Sequence, residues 1–310
     1  MRIELINLPF STDIRRRLDP PLYLLQLAPV LIEEGFRVRV NDLNGIDSSG
    51  WTFGHCLFYL LYVDVRGFEV AKTVAQLCKQ ANTKGIVVVC GSGPSKETVK
   101  YVKSIEFDAV IKGEAEAALL NYMEAVIQPQ FTNDQKVFSA EVDNINRLPL
   151  PARDLVEMNT YARRLAGNRA VMIMGSRGSP FRGTWLCRGL KTFSVSRIMN
   201  EIDEVVKRYG VKGFLFGDEC FTYDRVRALD IGKAMAERKL IFGFNDDIQR
   251  VNIPLYKSLH ELGGKEVLLN FYNKRDMNFG RSIQSKVEKE AKLRVTLKQE
   301  AKYRESSLAK

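Results

Sequence analysis

Thiol and carboxylate side chains follow two apolar strands in the second half of the chain. Cys187 comes after a strand predicted at residues 171–174, and Asp218, Glu219 and Cys220 come after a strand predicted at 214–216. Zinc accepts mixed sulfur and oxygen ligands, so Cys187 and Cys220 are candidate metal ligands, with the two carboxylates beside them. The alternative is that both cysteines are small buried hydrophobic side chains. The residues alone leave both interpretations open.

The segment between these strands, residues 174–187 (MGSRGSPFRGTWLC), combines glycines, arginines and aromatic rings. The residues Ser179, Gly183 and Leu186 within it offer no good metal ligand. Serine is a poor substitute for a soft thiolate, glycine has no side chain and leucine cannot bind a metal. Cys187 could supply one ligand only, and one thiolate does not hold an iron–sulfur cubane.

Composition fits a globular protein with two domains. The chain has 310 residues, 45% of them hydrophobic and 27% charged, which is long enough for two substantial cores. It contains no apolar run of about 20 residues that could cross a bilayer. The first residues lack the apolar region of a signal peptide, which predicts a cytoplasmic protein. The five cysteines are scattered and form no disulfide framework.

The first half alternates strand and helix signals. Strands are predicted at residues 3–8, 36–40, 57–63, 86–89 and 109–111, and helices at about 22–31, 68–82, 96–104 and 115–126. Buried strands separated by helices predict an α/β fold with a doubly wound, parallel, five-stranded sheet of the flavodoxin-like type. We assign this domain to residues 1–127.

Residues 128–160 are polar, turn-rich and proline-containing, and we interpret them as a linker. Helix and strand signals then repeat about every 30 residues from 161 to 278, which predicts a partial (β/α) barrel. Residues 281–310 carry nine Lys or Arg against four Glu, so residues 279–310 are predicted to form a basic, solvated helical tail. The net charge of +10 permits anionic partners. Nucleic acid is a weak option because the tail lacks interleaved aromatic residues for base stacking.

Several short motifs, in a fixed order, resemble the cobalamin (B12)-binding radical S-adenosylmethionine (SAM) family. Residues 90–95 (CGSGPS) resemble its GGPHPS turn, residues 112–116 (KGEAE) its GEGE turn and residues 148–153 (LPLPAR) the linker before its radical domain. Residues 216–221 (FGDECF) resemble the end of the second barrel strand. In the family, three cysteines spaced C-x3-C-x2-C follow the first barrel strand, and here the matching positions are Ser179, Gly183 and Leu186.

The resemblance implies a B12-binding domain followed by a radical SAM barrel, with cobalamin, SAM and a [4Fe–4S] cluster as cofactors. Cobalamin would bind at the carboxyl ends of the first sheet's strands, where small residues let a ligand approach the backbone. By resemblance, the cofactor-binding residues are Leu8, Pro9, Gly91, Gly93, Pro94, Gly113 and Glu114 in the first domain and Phe181, Asp218, Glu219 and Arg250 in the second. The alternative for the glycines is that they are plain turn residues.

Three functions remain compatible with the sequence. The first is a diverged family member that binds a corrinoid, a SAM-like ligand or both without radical chemistry. The second is an active methyltransferase-type enzyme with an unconventional cluster. The third is a degenerate paralogue that binds no ligand. All three predict small-molecule partners or none, and no membrane association.

Overall fold

The computed structural model describes residues 1–9, 17–126, 128, 136–181, 184, 186–187, 189–271 and 276–299. The chain divides into two compact units. The first comprises Met1–Ala162 with Trp185–Cys187, and the second comprises Arg163–Thr184 with Arg188–Lys310. No described helix has the length and hydropathy that a membrane span requires.

The first unit contains one parallel sheet, which confirms the predicted doubly wound α/β class. Its strands are β1 (Arg2–Asn7), β2 (Arg37–Asp42), β3 (Phe58–Tyr62), β4 (Ile86–Cys90), β5 (Ala109–Gly113) and β6 (Val137–Ala140). They are ordered β2-β1-β3-β4-β5-β6, and every neighbouring pair is parallel. The sheet therefore has six strands rather than the predicted five. The sixth comes from the segment interpreted as a linker, because Val137–Ala140 pairs with β5.

Helices cover both faces of this sheet. They are α1 (Leu22–Glu33), α2 (Phe68–Ala81), α3 (Ser92–Lys96), α4 (Thr98–Val102) and α5 (Ala115–Val126). Side chains of α1 and α5 pack in one apolar core, and those of α2 pack in a second core. The strands alternate between these cores, since Leu5 belongs to the first and Ile6 to the second. This double burial explains why the strands are nearly continuous apolar runs.

The second unit contains a six-stranded sheet of the partial-barrel type. Its strands are β7 (Arg164–Leu165), β8 (Asn168–Ile173), β11 (Gly213–Phe216), β12 (Ile241–Asp247), β13 (Gly264–Phe271) and β14 (Arg294–Gln299), in the order β14-β13-β12-β11-β8-β7. All pairs are parallel except β7 with β8. A separate antiparallel pair is formed by β9 (Ser176–Gly178) and β10 (Leu190–Thr192).

The helices of this unit are α6 (Val195–Tyr209), α7 (Arg225–Glu237), α8 (Ile253–Glu261) and α9 (Asp276–Ala291). Local sequence sets the starts of α6, α7 and α8, because Ser194, Asp224 and Asn252 each accept a hydrogen bond from a backbone N–H of the first turn. Gly210 ends α6 in the left-handed conformation, with φ of 62°.

The basic tail departs from the predicted solvated helix. Helix α9 is followed by β14, which pairs in parallel with β13. Val287, Ala291, Leu293 and Val295 are buried although lysines surround them in the sequence. The described part of the tail therefore completes an outer helix and strand of the partial barrel, while residues 300–310 lie outside the described residues.

Candidate functional site

In the first unit, the predicted cofactor-binding residues lie at the carboxyl edge of the sheet. Strand β1 has β2 on one side and β3 on the other, so the chain reverses its winding direction there. Ligands of open α/β sheets bind outside the carboxyl ends of the strands at such a switch point. The residues brought to this edge follow or end β1, β4 and β5: Leu8, Pro9, Gly91, Gly93, Pro94, Gly113 and Glu114.

The two glycines after β4 are explained by packing within the chain. Gly91 has a φ of +113°, and a Cβ there would lie 2.4 Å from the Val63 carbonyl oxygen. A Cβ on Gly93 would lie 2.2 Å from the Asp64 carbonyl oxygen. The Gly93 N–H also donates to the Val63 oxygen at 3.1 Å. The close approach of the loop after β3 explains why both positions hold glycine, which favours the turn-residue alternative for Gly91 and Gly93.

Substituting Gly91 with alanine is expected to destabilise the first unit strongly. The new Cβ would collide with the Val63 main chain and adopt a φ that L-residues avoid, so we expect a loss of at least about 2 kcal/mol. Gly35→Ala is the matched control, because Gly35 has a φ of +83° but nothing within 4 Å of its Cβ position. It should cost about 1 kcal/mol. Urea unfolding measures both, and equal losses would contradict the packing argument.

Glu114 also has a structural partner. Its side chain is fully buried, and its Oε2 accepts a hydrogen bond from the Val142 N–H at 2.8 Å. Gly113, with a φ of +78°, presents its carbonyl oxygen to the Tyr23 hydroxyl at 3.3 Å. The Tyr23 oxygen in turn accepts from the Ala115 N–H at 3.1 Å. These contacts fix the turn that carries the chain from β5 into α5.

Asn7 is a residue of this edge that the sequence analysis missed. It ends β1, is buried, and donates from Nδ2 to Asp42 Oδ1 at 2.7 Å. The other Asp42 oxygen accepts from the Tyr161 hydroxyl at 2.8 Å. Asn7 Oδ1 is buried and has no hydrogen-bond partner within the described chain. Buried polar atoms are nearly always paired, so Asn7 Oδ1 is available at the switch point to accept from a water or a ligand. The sequence did offer one signal for Asn7, because it is a polar residue at the end of an apolar strand.

In the second unit, Asp218 follows β11 and anchors the loop after β8. Its carboxylate accepts hydrogen bonds from the Gly175 N–H at 3.1 Å and from the Ser176 hydroxyl. Arg227 lies 3.9 Å from the same carboxylate and donates to the Gly175 carbonyl oxygen. Burial raises the pKa of Asp218. The predicted cofactor-binding carboxylate is therefore engaged in holding residues 175–176.

A second buried carboxylate, Asp246, lies at the end of β12 and was also missed. Its oxygens accept from the Cys220 thiol at 2.8 Å, from the Tyr256 hydroxyl at 2.9 Å and from the Thr222 hydroxyl. Burial raises the pKa of both the Cys220 thiol and the Asp246 carboxyl. In this arrangement the Cys220 thiol is a hydrogen-bond donor to Asp246.

The structure gives the predicted zinc site no support. Within the described ranges, no three His, Cys, Asp or Glu side chains are grouped as metal ligands would be. Cys187 is buried with the first unit and Cys220 belongs to the second. The metal site remains a hypothesis from the sequence.

In the radical SAM family that this chain resembles, three positions hold the cluster cysteines. The residues at those positions in this chain make other contacts. Ser179 is 1% exposed, and its hydroxyl oxygen accepts from the Phe181 N–H at 3.2 Å. Leu186 packs in the apolar core formed with α1 and α5. Gly183 lies outside the described residues. A [4Fe–4S] cluster needs thiolates, and neither Ser179 nor Leu186 supplies one, so these residues do not fit the cluster.

Phe181, Tyr223 and Arg250 form an aromatic–arginine cluster on loops of the second unit. Each ring is 43% exposed, and the ring centroids are 5.8 Å apart in an edge-to-face arrangement. The Arg250 guanidinium carbon lies 5.5 Å from the Phe181 centroid and 5.2 Å from that of Tyr223. Within the described part of the chain, Arg250 has these ring contacts and no carboxylate partner. Its planar donors suit a carboxylate or phosphate. Glu219 is half-buried, and its carbonyl oxygen lies 3.4 Å from Asn270 Nδ2.

Two curated proteins are similar to this chain in sequence, and no family model matches it. An uncharacterized methyltransferase of Pyrococcus horikoshii, PH0819, is 26% identical over 276 residues, which cover 77% of this chain and 58% of the relative. The anaerobic magnesium-protoporphyrin IX monomethyl ester cyclase of Rubrivivax gelatinosus is 22% identical over 200 residues, covering 56% of this chain and 36% of the relative. The chain thus spans little more than half of one relative and about a third of the other.

Two solved structures share the fold. Both are of TsrM, a radical S-adenosylmethionine methyltransferase from Kitasatospora setae. The structure with tryptophan substrate and the SAM analogue aza-SAM matches with a TM-score of 0.67 and 14% identity, covering 96% of this chain and 67% of TsrM. The structure with cobalamin and a [4Fe–4S] cluster matches with a TM-score of 0.68 and 13% identity, covering 96% and 69%. The chain therefore shares the fold of these radical SAM methyltransferase structures, and this fold agrees with the resemblance seen in its motifs.

Proposed function

We propose that this chain is a diverged protein of the cobalamin-dependent, radical SAM methyltransferase type that binds a corrinoid, a SAM-like ligand or both, without a [4Fe–4S] cluster. The main support for this proposal is that the residues at the cluster positions are not thiolates. Ser179 is buried with its hydroxyl bonded to Phe181, and Leu186 is part of an apolar core. Hydroxyl and alkyl groups replace the soft, anionic ligands that iron–sulfur chemistry requires.

The corrinoid would bind at the carboxyl edge of the first sheet. Asn7 Oδ1 supports this assignment, because it is a buried acceptor without a partner in the described chain. A corrinoid carries amide groups that can donate to such an oxygen. The Asp42–Tyr161 pair would keep Asn7 oriented, since Asp42 holds its Nδ2. Leu8, Pro9 and Gly113 would then line the ligand as the family resemblance implies.

The SAM-like ligand would bind at the loops of the second unit. Arg250 supports this assignment, because its guanidinium is held against two aromatic rings and can meet a carboxylate through two parallel hydrogen bonds. Phe181 and Tyr223 offer exposed ring faces for a planar base. Asp218 would act as a positioning residue, because its contacts are with Gly175, Ser176 and Arg227.

Titration with hydroxocobalamin and with SAM tests the proposal. We expect the 310-residue chain to bind at least one of them in isothermal titration calorimetry. If hydroxocobalamin binds, Asn7→Leu should weaken it about tenfold, the effect of one lost hydrogen bond of about 1.4 kcal/mol. Asn121→Leu is the matched control, since Asn121 is exposed on α5. Silence with both ligands would contradict the proposal and favour a degenerate paralogue.

A further inference from the structure

The amino-terminal edge of the first sheet carries a cleft at the opposite end of the strands from the proposed corrinoid site. The cleft has a volume of about 640 Å³, which is within the usual range for small-molecule sites. It is formed where three strands begin. Arg2 opens β1, Leu57 precedes β3, and residues 82–84 precede β4.

Backbone hydrogen bonds fix the frame of this cleft. The Leu57 N–H donates to the Arg2 carbonyl oxygen at 3.2 Å, and the Ile86 N–H donates to the Leu57 oxygen at 2.7 Å. The Asn82 amide donates to the Cys56 oxygen at 2.8 Å and accepts from the Lys84 N–H at 3.1 Å. The loop before β4 is therefore held in one conformation against the start of β3.

The charged side chains that line the cleft are all basic. Arg2, His55 and Lys84 contribute basic side chains, and no carboxylate lines the cleft. Neither Arg2 nor Lys84 forms an ion pair with any described residue. The neighbouring Lys79 differs, because its Nζ is bound to Asp108 at 2.7 Å and to the Gly85 oxygen at 2.6 Å. Leu57 adds an exposed apolar surface among the basic groups.

From this arrangement we propose that the cleft binds a phosphate-bearing small molecule of about nucleotide size. Arginine meets phosphate oxygens with a planar pair of donors, and lysine adds a point charge. Two cations, Arg2 and Lys84, line one cleft that has no carboxylate in its lining, and this favours an anionic ligand over a neutral one. The apolar Leu57 surface suits the remainder of such a ligand.

ADP is the probe that tests this proposal, with adenosine as the uncharged comparison. Equilibrium dialysis on the 310-residue chain should show binding of ADP and at least tenfold weaker binding of adenosine. Arg2→Gln and Lys84→Gln should each weaken ADP binding about tenfold, as expected for one charged hydrogen bond. Lys103→Gln is the matched control, an exposed lysine on the same unit, and should leave ADP binding unchanged.

Three results would overturn the proposal. They are absence of ADP binding, ADP binding that survives both Arg2→Gln and Lys84→Gln, and adenosine binding as tight as that of ADP. Excess SAM should not displace ADP, because the SAM-like ligand is assigned to the second unit. Displacement by SAM would place the bound ADP at that other site and contradict this inference, while the proposed function would stand.

Discussion

Replacing Asp218 with alanine should lower the free energy of unfolding by about 3–5 kcal/mol, the usual cost of removing one partner of a buried ion pair. The change would leave the Gly175 N–H and the Ser176 hydroxyl without their acceptor and Arg227 without its carboxylate. We expect the loop after β8 to lose its anchor. Guanidinium unfolding measures the loss.

The matched control for Asp218 is a surface ion pair of better geometry. Asp203 lies 2.7 Å from Arg238 Nε but is exposed. Asp203→Ala should therefore cost less than about 1 kcal/mol, because solvent screens exposed pairs. Equal losses for the two variants would show that Asp218 does not anchor the loop.

Asp246→Ala should have a comparable effect, also about 3–5 kcal/mol, for a different reason. The variant leaves three buried donors unpaired, namely Cys220, Thr222 and Tyr256, and an unsatisfied buried donor costs about 1–3 kcal/mol. Tyr256→Phe removes one donor while the acceptor stays, and it should cost about 1 kcal/mol. Asp230→Ala is the control, because the Asp230 side chain is 47% exposed, and it should fall within about 0.5 kcal/mol of the parent chain.

The pH dependence of unfolding provides an independent check that Asp246 is buried. Burial raises its pKa in the folded chain above the ordinary value of 3.8. The folded state then holds this proton more tightly than the unfolded state does. The resulting stabilisation is complete below the unfolded pKa and is lost as pH rises through the folded pKa. The advantage of the parent chain over Asp246→Asn should therefore be largest near pH 4 and shrink toward neutrality. An advantage that grows with pH would contradict this.

The fold could be predicted where a hydrophobic pattern ran over many residues and where capping residues marked the ends of helices. Helix α5 occupies the predicted residues, and α6 begins after the capping Ser194. Strand β6 was missed because it has only four residues in a polar segment, and β14 was missed because it lies in a basic segment. Their place in the sheets comes from pairing with β5 and β13, and such long-range pairing leaves no local signal.

The sequence could predict where the candidate site lies, but it could not predict the contacts that its residues make. Motif order led to the carboxyl edges of both sheets, where Leu8, Gly113 and Arg250 lie. It could not reveal that Gly91 is required by the close approach of Val63, 28 residues earlier in the sequence. Asn7 was missed for a similar reason, since its partner Asp42 is 35 residues away. Contacts at such separations depend on the completed fold.

The proposed function depends most heavily on the loss of cluster ligands from an otherwise recognisable loop. Anaerobic reconstitution with iron and sulfide, followed by iron analysis and an absorption spectrum, tests it directly. The parent chain should show no band near 400 nm and well under one iron per chain. A variant that restores thiols, Ser179→Cys with Gly183→Cys and Leu186→Cys, should show that band and about four irons per chain. A parent chain that takes up about four irons and shows the band would contradict the account.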